Sequence, residues 1–183
     1  ILAEIENNDF VVGNVKKGVR NKRPMPPFIT STLQQDASRK LGYTSKRTMR
    51  IAQTLYEGVD VTGLGTTGLI TYMRTDSLRI SEEARAAGEK YIIGRFGQEY
   101  LPEKRTYYKT KAGAQDAHEA IRPTSIRIRP DDIKDKLTTD QYKLYKLIWE
   151  RFMASLMADQ IQNTCQVDIS AGKYVFKASG YTV

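Results

Sequence analysis

A tyrosine and an arginine stand two residues apart in the stretch Gly68–Ser77, GLITYMRTDS. Its composition predicts a short β-strand, in which side chains two positions apart point to the same face. Tyr72 and Arg74 would then face one site, with Ile70 in the same row. A phenol is a poor nucleophile at neutral pH because its pKa is about 10, but a guanidinium beside it favours the phenolate and grips a phosphate in two places. The pair suits attack on a phosphodiester, although a core-packed strand tyrosine beside an exposed arginine is the commoner arrangement.

The second candidate site is the stretch 115–124, QDAHEAIRPT, which contains His118, the only histidine of the chain. His118 stands four residues before Arg122, so on a helix the two side chains share a face. Pro123 disfavours helical geometry at Arg122, which should therefore end the helix, exposed and free to reach a phosphate. Histidine can donate to a phosphate oxygen or move a proton. Taken alone, a helix-end histidine with solvated charged neighbours is the simpler interpretation.

Together the two stretches resemble the active-site region of type IA DNA topoisomerases, in which GLITYMRTDS carries the nucleophilic tyrosine and AHEAIRPT follows it. Here these motifs are Gly68–Ser77 and Ala117–Thr124. Two weaker matches, PPFITSTLQQDA at 26–37 and IAQTLYEG at 51–58, precede them in the family's order. The resemblance covers at least residues 26–159. It favours a catalytic role for Tyr72 over a core-packed tyrosine and a role at the site for His118 over a solvated helix end.

The resemblance implies a transesterification on single-stranded DNA that relaxes negative supercoils without ATP. Tyr72 would become linked to the 5′-phosphate, another strand would pass through the gap, and the 3′-hydroxyl would reseal it. Arg74 is expected to stabilise the phosphorane, and His118 to contact a phosphate and assist proton movement. Residues with looser, substrate-binding roles are Thr75, Asp76, Glu119 and Arg122. Among these, Asp76 would orient Arg74, and Glu119 would brace His118 or Arg122.

The resemblance also implies Mg²⁺, which the family binds through acidic residues of a Toprim domain. This chain offers no Asp-x-Asp beside a suitable strand, and the acidic pair Asp131-Asp132 is better placed to open a helix after Pro130. No metal ligands or cofactor are therefore expected here. The chain should bind single-stranded DNA without relaxing DNA. Its other partners should be the Toprim and remaining domains of one parent protein, in whose absence Tyr72 should be open to solvent.

Composition agrees with a nucleic-acid partner. The 183 residues carry a formal net charge of +8, which suits RNA, DNA or acidic lipid equally well. The one cysteine excludes an intrachain disulfide and a cysteine-rich zinc site. No membrane span or signal peptide is visible, which together with the resemblance predicts a bacterial, cytoplasmic and nucleoid-associated protein. Because the chain starts without Met and stops in an apparent strand, both ends are expected to be cut from a longer protein.

The predicted fold class is α+β. Strand-forming residues at 10–15 and a hairpin with its turn at 171–173 flank a mainly helical region. By the resemblance, this region is a tyrosine domain of the helix-turn-helix kind, like that of a catabolite activator protein, inserted between two pieces of a β-rich arch. The predicted bounds are 1–30 for the first arch piece, 31–159 for the helical domain and 160–183 for the second piece.

Capping residues place the predicted helices. Thr30 or Ser31 can cap a first helix that ends near Gly42, and Ser45 can cap a second whose inner face includes Tyr56. A third should run from Ser81 towards residue 100. Thr138 with Gln141 forms a capping box for a long fourth helix. The apolar stripe of the fourth helix indicates core packing and consists of Leu144, Leu147, Ile148, Phe152 and Leu156, widened by Trp149.

Residues 102–129 contain seven Lys or Arg against three Asp or Glu, together with Tyr107 and Tyr108. Cations interleaved with aromatics suit a single-strand groove, and a solvated loop fits about equally well. Two other functions stay open. A tyrosine recombinase also uses Tyr, Arg and His, but its tyrosine follows the other motifs, whereas Tyr72 precedes His118. A non-catalytic helix-turn-helix module would instead prefer duplex DNA.

Overall fold

The computed structural model describes residues 1–61, 63, 65–108 and 118–183, which mix helices and strands as predicted. They form two compact units, one from Ile1–Arg23 with Asp159–Val183 and one from Pro24–Ala158. The second unit includes residues 24–30, which the sequence-based bounds assign to the first β-rich piece. This difference follows from Phe28, which is fully buried in the core of the helical unit.

The elements are named here in chain order. The helices are α1 Leu2–Ile5, α2 Thr30–Leu41, α3 Ser45–Glu57, α4 Glu82–Arg95 and α5 Thr139–Leu156, with 3₁₀ helices at Gln98–Tyr100 and Pro130–Lys136. The strands are β1 Val11–Lys22, β2 Val59–Val61, β3 Gly65–Thr67, β4 Gln160–Ala171 and β5 Tyr174–Thr182. The helix predicted after Pro130 is therefore a 3₁₀ helix. None of the helices within the described ranges is long and apolar enough to span a membrane.

The first unit is built on a three-stranded antiparallel sheet in the order β1–β4–β5. The predicted hairpin is present between β4 and β5, with Gly172 in its turn at φ 57°. β1 extends beyond the strand predicted at 10–15, because the polar residues 16–22 pair with 160–166 of β4. That pairing depends on a segment far away in the chain, so the local composition of β1 does not show it.

The second unit is built around α2, α3 and α5. Gly42 ends α2 in the left-handed conformation at φ 68°, as predicted. The cap of α3 is Thr44, whose Oγ1 accepts a hydrogen bond from the Arg47 N–H at 3.2 Å, so the predicted cap Ser45 is wrong by one position. The three helices share one hydrophobic core that includes Leu33, Ala37, Ile51, Ala52, Leu55, Leu144 and Ile148.

Helix α5 begins with the predicted capping box. The Thr138 N–H donates to Gln141 Oε1 at 2.9 Å, and the Gln141 N–H donates to Thr138 Oγ1 at 3.3 Å. Further along α5, Arg151 donates from Nε to the Pro26 carbonyl at 2.6 Å and from Nη1 to Asp36 at 3.1 Å. Both charged side chains of this pair are largely buried, so α5 fixes the chain where it enters α2. The apolar stripe predicted for this helix is buried: Leu144, Leu147, Ile148, Phe152 and Leu156.

The tyrosine motif does not form the predicted strand. Within residues 68–77 only an isolated bridge between Ile70 and Pro123 pairs in the manner of a sheet. Its other backbone groups bond to separate parts of the unit, for example the Leu69 N–H to the Leu55 carbonyl of α3 at 2.7 Å. The strand prediction is therefore wrong, because these partners lie on a helix and on irregular segments and supply no continuous ladder.

The histidine motif does not form the predicted helix. None of residues 118–124 is helical, and the start of this motif at 115–117 lies outside the described residues. The Ile121 N–H donates to the Phe28 carbonyl at 2.8 Å, and the Arg122 N–H donates to Thr71 Oγ1 at 3.0 Å. Donors used in this way cannot bond to carbonyls four residues earlier, as a helix requires.

Helix α4 begins at its predicted cap, since Ser81 Oγ accepts a hydrogen bond from the Ala84 N–H at 3.4 Å. It ends at Arg95, earlier than predicted. Gly97 follows at φ 118°, a conformation that an α-helix cannot contain, and a 3₁₀ turn at 98–100 completes the segment.

Gly68 is required where the tyrosine motif meets the end of α3. A Cβ at this position would lie 2.6 Å from the Tyr56 carbonyl oxygen, which belongs to the backbone and cannot rotate away. We expect Gly68→Ala to lower the free energy of unfolding by about 1–3 kcal/mol through overpacking.

Gly94→Ala is the matched control, since nothing lies within 4 Å of a Cβ added there, on α4. Alanine at that helical position should leave stability unchanged or raise it by up to about 1 kcal/mol. Urea unfolding followed by circular dichroism measures both variants. Equal stability of Gly68→Ala and the parent sequence would contradict the close packing described here.

Candidate active site

The segment that carries Tyr72 alternates between exposed and buried side chains. Tyr72, Arg74 and Asp76 are exposed, and the residues between them are buried. The alternation expected of a strand thus holds from position 72 onward, but Ile70, expected in the exposed row, is 1% exposed. Tyr72 is 42% exposed, as expected without a covering domain. Its hydroxyl has no hydrogen-bond partner among the residues that the structure describes.

Thr71 joins this segment to the histidine motif. Its N–H donates to the Arg122 carbonyl at 2.9 Å, and its Oγ1 donates to the Ala120 carbonyl at 2.7 Å while accepting from the Arg122 N–H at 3.0 Å. Next to it, the Thr124 N–H donates to the Leu69 carbonyl at 3.0 Å. These bonds pair backbone groups that would otherwise need a regular ladder, and they hold the two motifs side by side.

Thr30, the first residue of α2, holds the same segment from another side. Its N–H donates to the Thr75 carbonyl at 2.9 Å, and its Oγ1 accepts from the Thr75 N–H at 2.9 Å and donates to the Met73 carbonyl at 2.9 Å. The hydroxyl is therefore used on the tyrosine segment and does not cap α2 as predicted. Tyr72 and Arg74 are carried by a backbone that is fixed both before and after them.

An open cavity beside this segment is shared by Arg74 and His118. It is lined by Ile29, Thr30, Ser31, Arg74, Thr75, Asp76 and His118. Arg74 is exposed and pairs with no carboxylate in the described part of the chain, so Asp76 does not orient it as predicted. Thr75 is 7% exposed, and its Oγ1 accepts from the Ser77 N–H at 3.0 Å, so its hydroxyl serves the loop. A guanidinium without a carboxylate partner is available to a phosphate.

The His118 ring lies next to the Tyr72 ring. Their centroids are 6.2 Å apart, and the planes meet at 66°. Backbone contacts to Arg79 hold the histidine segment in place, since Arg79 Nε donates to the His118 carbonyl at 3.4 Å and the Ala120 N–H donates to the Arg79 carbonyl at 2.9 Å. The three predicted catalytic residues are therefore neighbours: Tyr72 contacts His118, which shares the cavity with Arg74.

Arg122 was expected to be exposed and free to reach a phosphate, and the structure shows otherwise. Its side chain is 14% exposed and forms an ion pair of 2.7 Å with Glu119, which is 18% exposed. Arg122 Nη1 also donates to the Pro123 carbonyl at 2.9 Å, and Nη2 to Ser81 Oγ at 3.4 Å. Of the two roles expected for Glu119, the structure shows the contact with Arg122. Glu119 also lies 3.7 Å from the Arg79 guanidinium. Both residues order the segment around His118.

Four residues that contact the site segments are not recognisable as such from the sequence. The sequence predicts Thr30 as a helix cap and Tyr56 on an inner helix face, and it indicates no role for Thr71 or Arg79. Tyr56 is in fact 41% exposed and lies against the Tyr72 ring. No local signal distinguishes these residues, because each acts on a segment distant in sequence.

The described residues do not fit a divalent metal ion. They contain no group of three or more His, Cys, Asp or Glu side chains placed as metal ligands. Of the carboxylates nearest the site, Glu119 is held by two arginines, and Asp76 stands alone on the cavity wall. Mg²⁺ is therefore assigned no ligand and no chemical step in this part of the protein.

The basic stretch predicted as a single-strand groove, 102–129, lies partly outside the described residues, which omit 109–117. Of its described cations, Arg105 pairs with Glu82 and Glu89, and Arg129 pairs with Asp132. Tyr107 is 64% exposed and stacks on the buried Arg85, whose guanidinium carbon lies 4.7 Å from the ring centroid. The groove stays a prediction, with less unpaired charge than the sequence alone indicates.

Two comparisons with known proteins identify the family. The family model described as DNA topoisomerase matches residues 1–183, the whole chain. Among solved structures, full-length topoisomerase I from Thermotoga maritima, in a monoclinic crystal form, is 41% identical, with a TM-score of 0.82 over 99% of this chain. The chain belongs to the type IA DNA topoisomerase family. It spans 29% of the length of the Thermotoga protein chain.

Membership of the type IA DNA topoisomerase family gives the four sequence matches one explanation and removes the tyrosine-recombinase alternative. The described residues also combine an exposed Tyr72 with an Arg74 that pairs with no described carboxylate, which a packed core would not retain. The residue roles rest on the geometry given above, since a family assignment does not by itself assign a function to any side chain.

The Thr71 bonds can be tested by removing one hydroxyl. We expect Thr71→Val to lower the free energy of unfolding by about 1–3 kcal/mol, because the Arg122 N–H and the Ala120 carbonyl lose their partner inside the protein. Thr71→Ser keeps the hydroxyl and should be much closer to the parent sequence.

The control is Thr66→Val, at an exposed position of strand β3 where valine is well tolerated. Denaturant unfolding of the three variants gives the comparison. If Thr71→Val proved as stable as Thr66→Val, the hydroxyl would not be what joins the two motifs.

Proposed function

We propose that Tyr72 is the nucleophile of an ATP-independent DNA topoisomerase that cleaves single-stranded DNA and relaxes negative supercoils. The observation that carries this proposal is an open cavity lined by His118, the only histidine of the sequence, and by Arg74, which has no carboxylate partner among the described residues, with the exposed Tyr72 ring in contact with His118. A structural tyrosine would be packed or hydrogen-bonded, and a structural arginine would have a partner.

The proposed reaction exchanges one ester for another. The Tyr72 oxygen attacks the phosphorus of a phosphodiester, its proton leaves, and the bond from phosphorus to the 3′-oxygen breaks. The 3′-oxygen takes up a proton and departs as a hydroxyl, while the 5′-phosphate stays on Tyr72. After strand passage the 3′-hydroxyl attacks the phosphotyrosine and restores both starting groups. Because the phosphotyrosine conserves the ester bond, the cycle needs no ATP.

Arg74 supplies the positive charge for this reaction. Its guanidinium is not neutralised by a carboxylate of the described chain, so it can bind a phosphate and stabilise the negative charge of the pentacoordinate phosphorus. His118 shares its cavity and can donate to a neighbouring phosphate or carry a proton. The fixed backbone under both residues keeps them in place before DNA binds.

The other candidate residues act indirectly in this proposal. Glu119 and Arg122 form a largely buried ion pair that orders the chain around His118. Thr75 holds the loop through its hydroxyl, and Asp76 lies on the cavity wall without an assigned partner. A carboxylate near the bound strand would repel phosphate, so Asp76 is better placed to limit where the backbone runs.

The parent protein should supply what these residues lack. We place the Mg²⁺ ligands in a Toprim domain and the rest of the DNA path in further domains of the same parent, in the bacterial cytoplasm at the nucleoid. Without them the chain should bind single-stranded DNA but neither cleave nor relax DNA. The proposal is supported by the family match and by the Thermotoga protein, of whose chain this sequence covers 29%.

A second candidate function is a duplex-binding module. Helices α2 and α3 are joined by a short turn, and Lys46, Arg47 and Arg50 are exposed near the start of α3. Against it, Arg47 is bound to Asp140 through two hydrogen bonds, of 3.1 and 2.6 Å. The same bonds, together with one from Tyr43, hold the pKa of the Asp140 carboxyl below its usual range. An arginine engaged in this way is less available to DNA.

Strand preference and salt dependence separate these functions. We expect the chain to bind a fluorescent single-stranded oligonucleotide more tightly than the matching duplex, as measured by anisotropy. Arg74→Gln should weaken binding, and it should reduce the slope of log affinity against log salt by about 0.7, the value for one lost phosphate contact on single-stranded DNA.

The control is Arg95→Gln, which removes the same charge from the exposed end of α4. It should leave the slope unchanged. Identical slopes for the two variants would remove Arg74 from the DNA site, and a preference for duplex would favour the duplex-binding module.

A further inference from the structure

The Tyr72 ring has a second aromatic neighbour, Tyr56, in addition to His118. The ring centroids of Tyr56 and Tyr72 are 5.4 Å apart, and the planes meet at 64°, an edge-to-face contact. The corresponding values for His118 are 6.2 Å and 66°. Tyr72 therefore contacts two rings, and these two rings make no ring contact with each other in the described structure.

The backbone of Tyr56 is fixed by its neighbours, although the side chain is 41% exposed. It lies in the last turn of α3, between the fully buried Leu55 and the helix end. The Leu69 N–H donates to the Leu55 carbonyl at 2.7 Å, and Gly68 packs closely on the Tyr56 carbonyl. The backbone that carries Tyr56 is thus joined directly to the backbone that leads into Tyr72.

The aromatic contacts of the Tyr72 ring within the described residues are those with Tyr56 and His118. Its hydroxyl makes no hydrogen bond there, and 42% of its surface is exposed. An exposed aromatic side chain without a partner samples several rotamers. An attacking oxygen must instead be in line with the bond that breaks, and small displacements cost rate.

We propose that Tyr56 is a positioning residue that holds the Tyr72 ring in its attacking orientation. The proposal rests on the proposed function of Tyr72 as the nucleophile. Because the contact is made by the ring edge, the aromatic ring of Tyr56 is required and its hydroxyl is not. Loss of the ring should slow covalent adduct formation by roughly two- to tenfold, the size of one edge-to-face contact, and leave DNA affinity unchanged.

A base-stacking role for Tyr56 predicts a different result. Exposed tyrosines near a single-strand site can stack on nucleobases, and alanine substitution of such residues lowers affinity. Under that alternative, loss of the ring would weaken DNA binding and leave the adduct rate at saturating DNA unchanged. The two roles are therefore separated by measuring rate and affinity on the same variants.

The first test uses the unique histidine and requires no catalysis. In the 183-residue chain, the His118 imidazole gives a single set of carbon-bound proton signals in an NMR spectrum. Tyr72→Leu should shift these signals by removing the ring current. Tyr56→Leu should shift them too, although Tyr56 does not touch His118, because Tyr72 would lose its orientation. Tyr56→Phe should leave them in place.

Tyr100→Leu is the control for a general effect of losing an exposed tyrosine, since the Tyr100 ring contacts Phe96 and, among the described residues, makes no ring contact with Tyr72 or His118. It should not move the His118 signals. Unshifted signals in Tyr56→Leu would overturn the positioning role. So would shifts of equal size in Tyr56→Phe, because they would show that the hydroxyl is required. If Tyr56→Leu lost its circular dichroism spectrum, Tyr56→Phe would still test the positioning role, because a shift of the His118 signals in that variant would overturn it.

The second test uses the full-length parent protein and single-turnover cleavage of an oligonucleotide. Tyr56→Leu should slow adduct formation at saturating DNA with an unchanged Kd, and Tyr56→Phe should match the parent sequence. An unchanged rate with a raised Kd would assign Tyr56 to base stacking and overturn the proposal. Failure of the proposed function is distinguishable, because Tyr72→Phe would then still form the adduct whatever the NMR result.

Discussion

The site depends on hydrogen bonds from two threonine hydroxyls to backbone groups of irregular segments. Thr71 joins the tyrosine segment to the histidine segment, and Thr30 joins it to the start of α2. Backbone groups that leave water must be paired, and these segments have no sheet or helix of their own to pair them. The two hydroxyls pair these backbone groups, so the short irregular stretch is held in place while its side chains at 72 and 74 remain exposed.

The arginines near the tyrosine and histidine segments differ in their charge partners. Arg122 and Arg79 lie close to Glu119 and stabilise the segment, whereas Arg74 has no carboxylate partner in the described chain. A cation neutralised by protein contributes little to binding a phosphate, and one that is held in place without a partner contributes much. Among the described residues, Arg79 and Arg122 are thus paired with a carboxylate and Arg74 is not, which is why we propose Arg74 as the phosphate-binding arginine. The Tyr72 ring contacts the rings of Tyr56 and His118.

Features that depend on neighbours in sequence were predicted well. The capping box at Thr138, the end of α2 at Gly42 and the buried stripe of α5 follow from residues within one or two turns of each other. The strand at Tyr72 and the helix at His118 were wrong, because their backbone partners lie in other segments. The family resemblance pointed to the candidate site residues, but the enclosure of Arg122 and the ring contact between Tyr56 and Tyr72 appear only in three dimensions.

The central claim is that Tyr72 alone receives the DNA phosphate. The direct measurement is to incubate the full-length parent protein with an end-labelled single-stranded oligonucleotide and Mg²⁺, digest the trapped adduct, and locate the nucleotide by mass spectrometry. We expect a modified peptide containing Tyr72 that keeps the 3′-labelled part of the DNA, no adduct in Tyr72→Phe, and none with the 183-residue chain alone. A nucleotide on another residue, or retention of the 5′-labelled part, would contradict it.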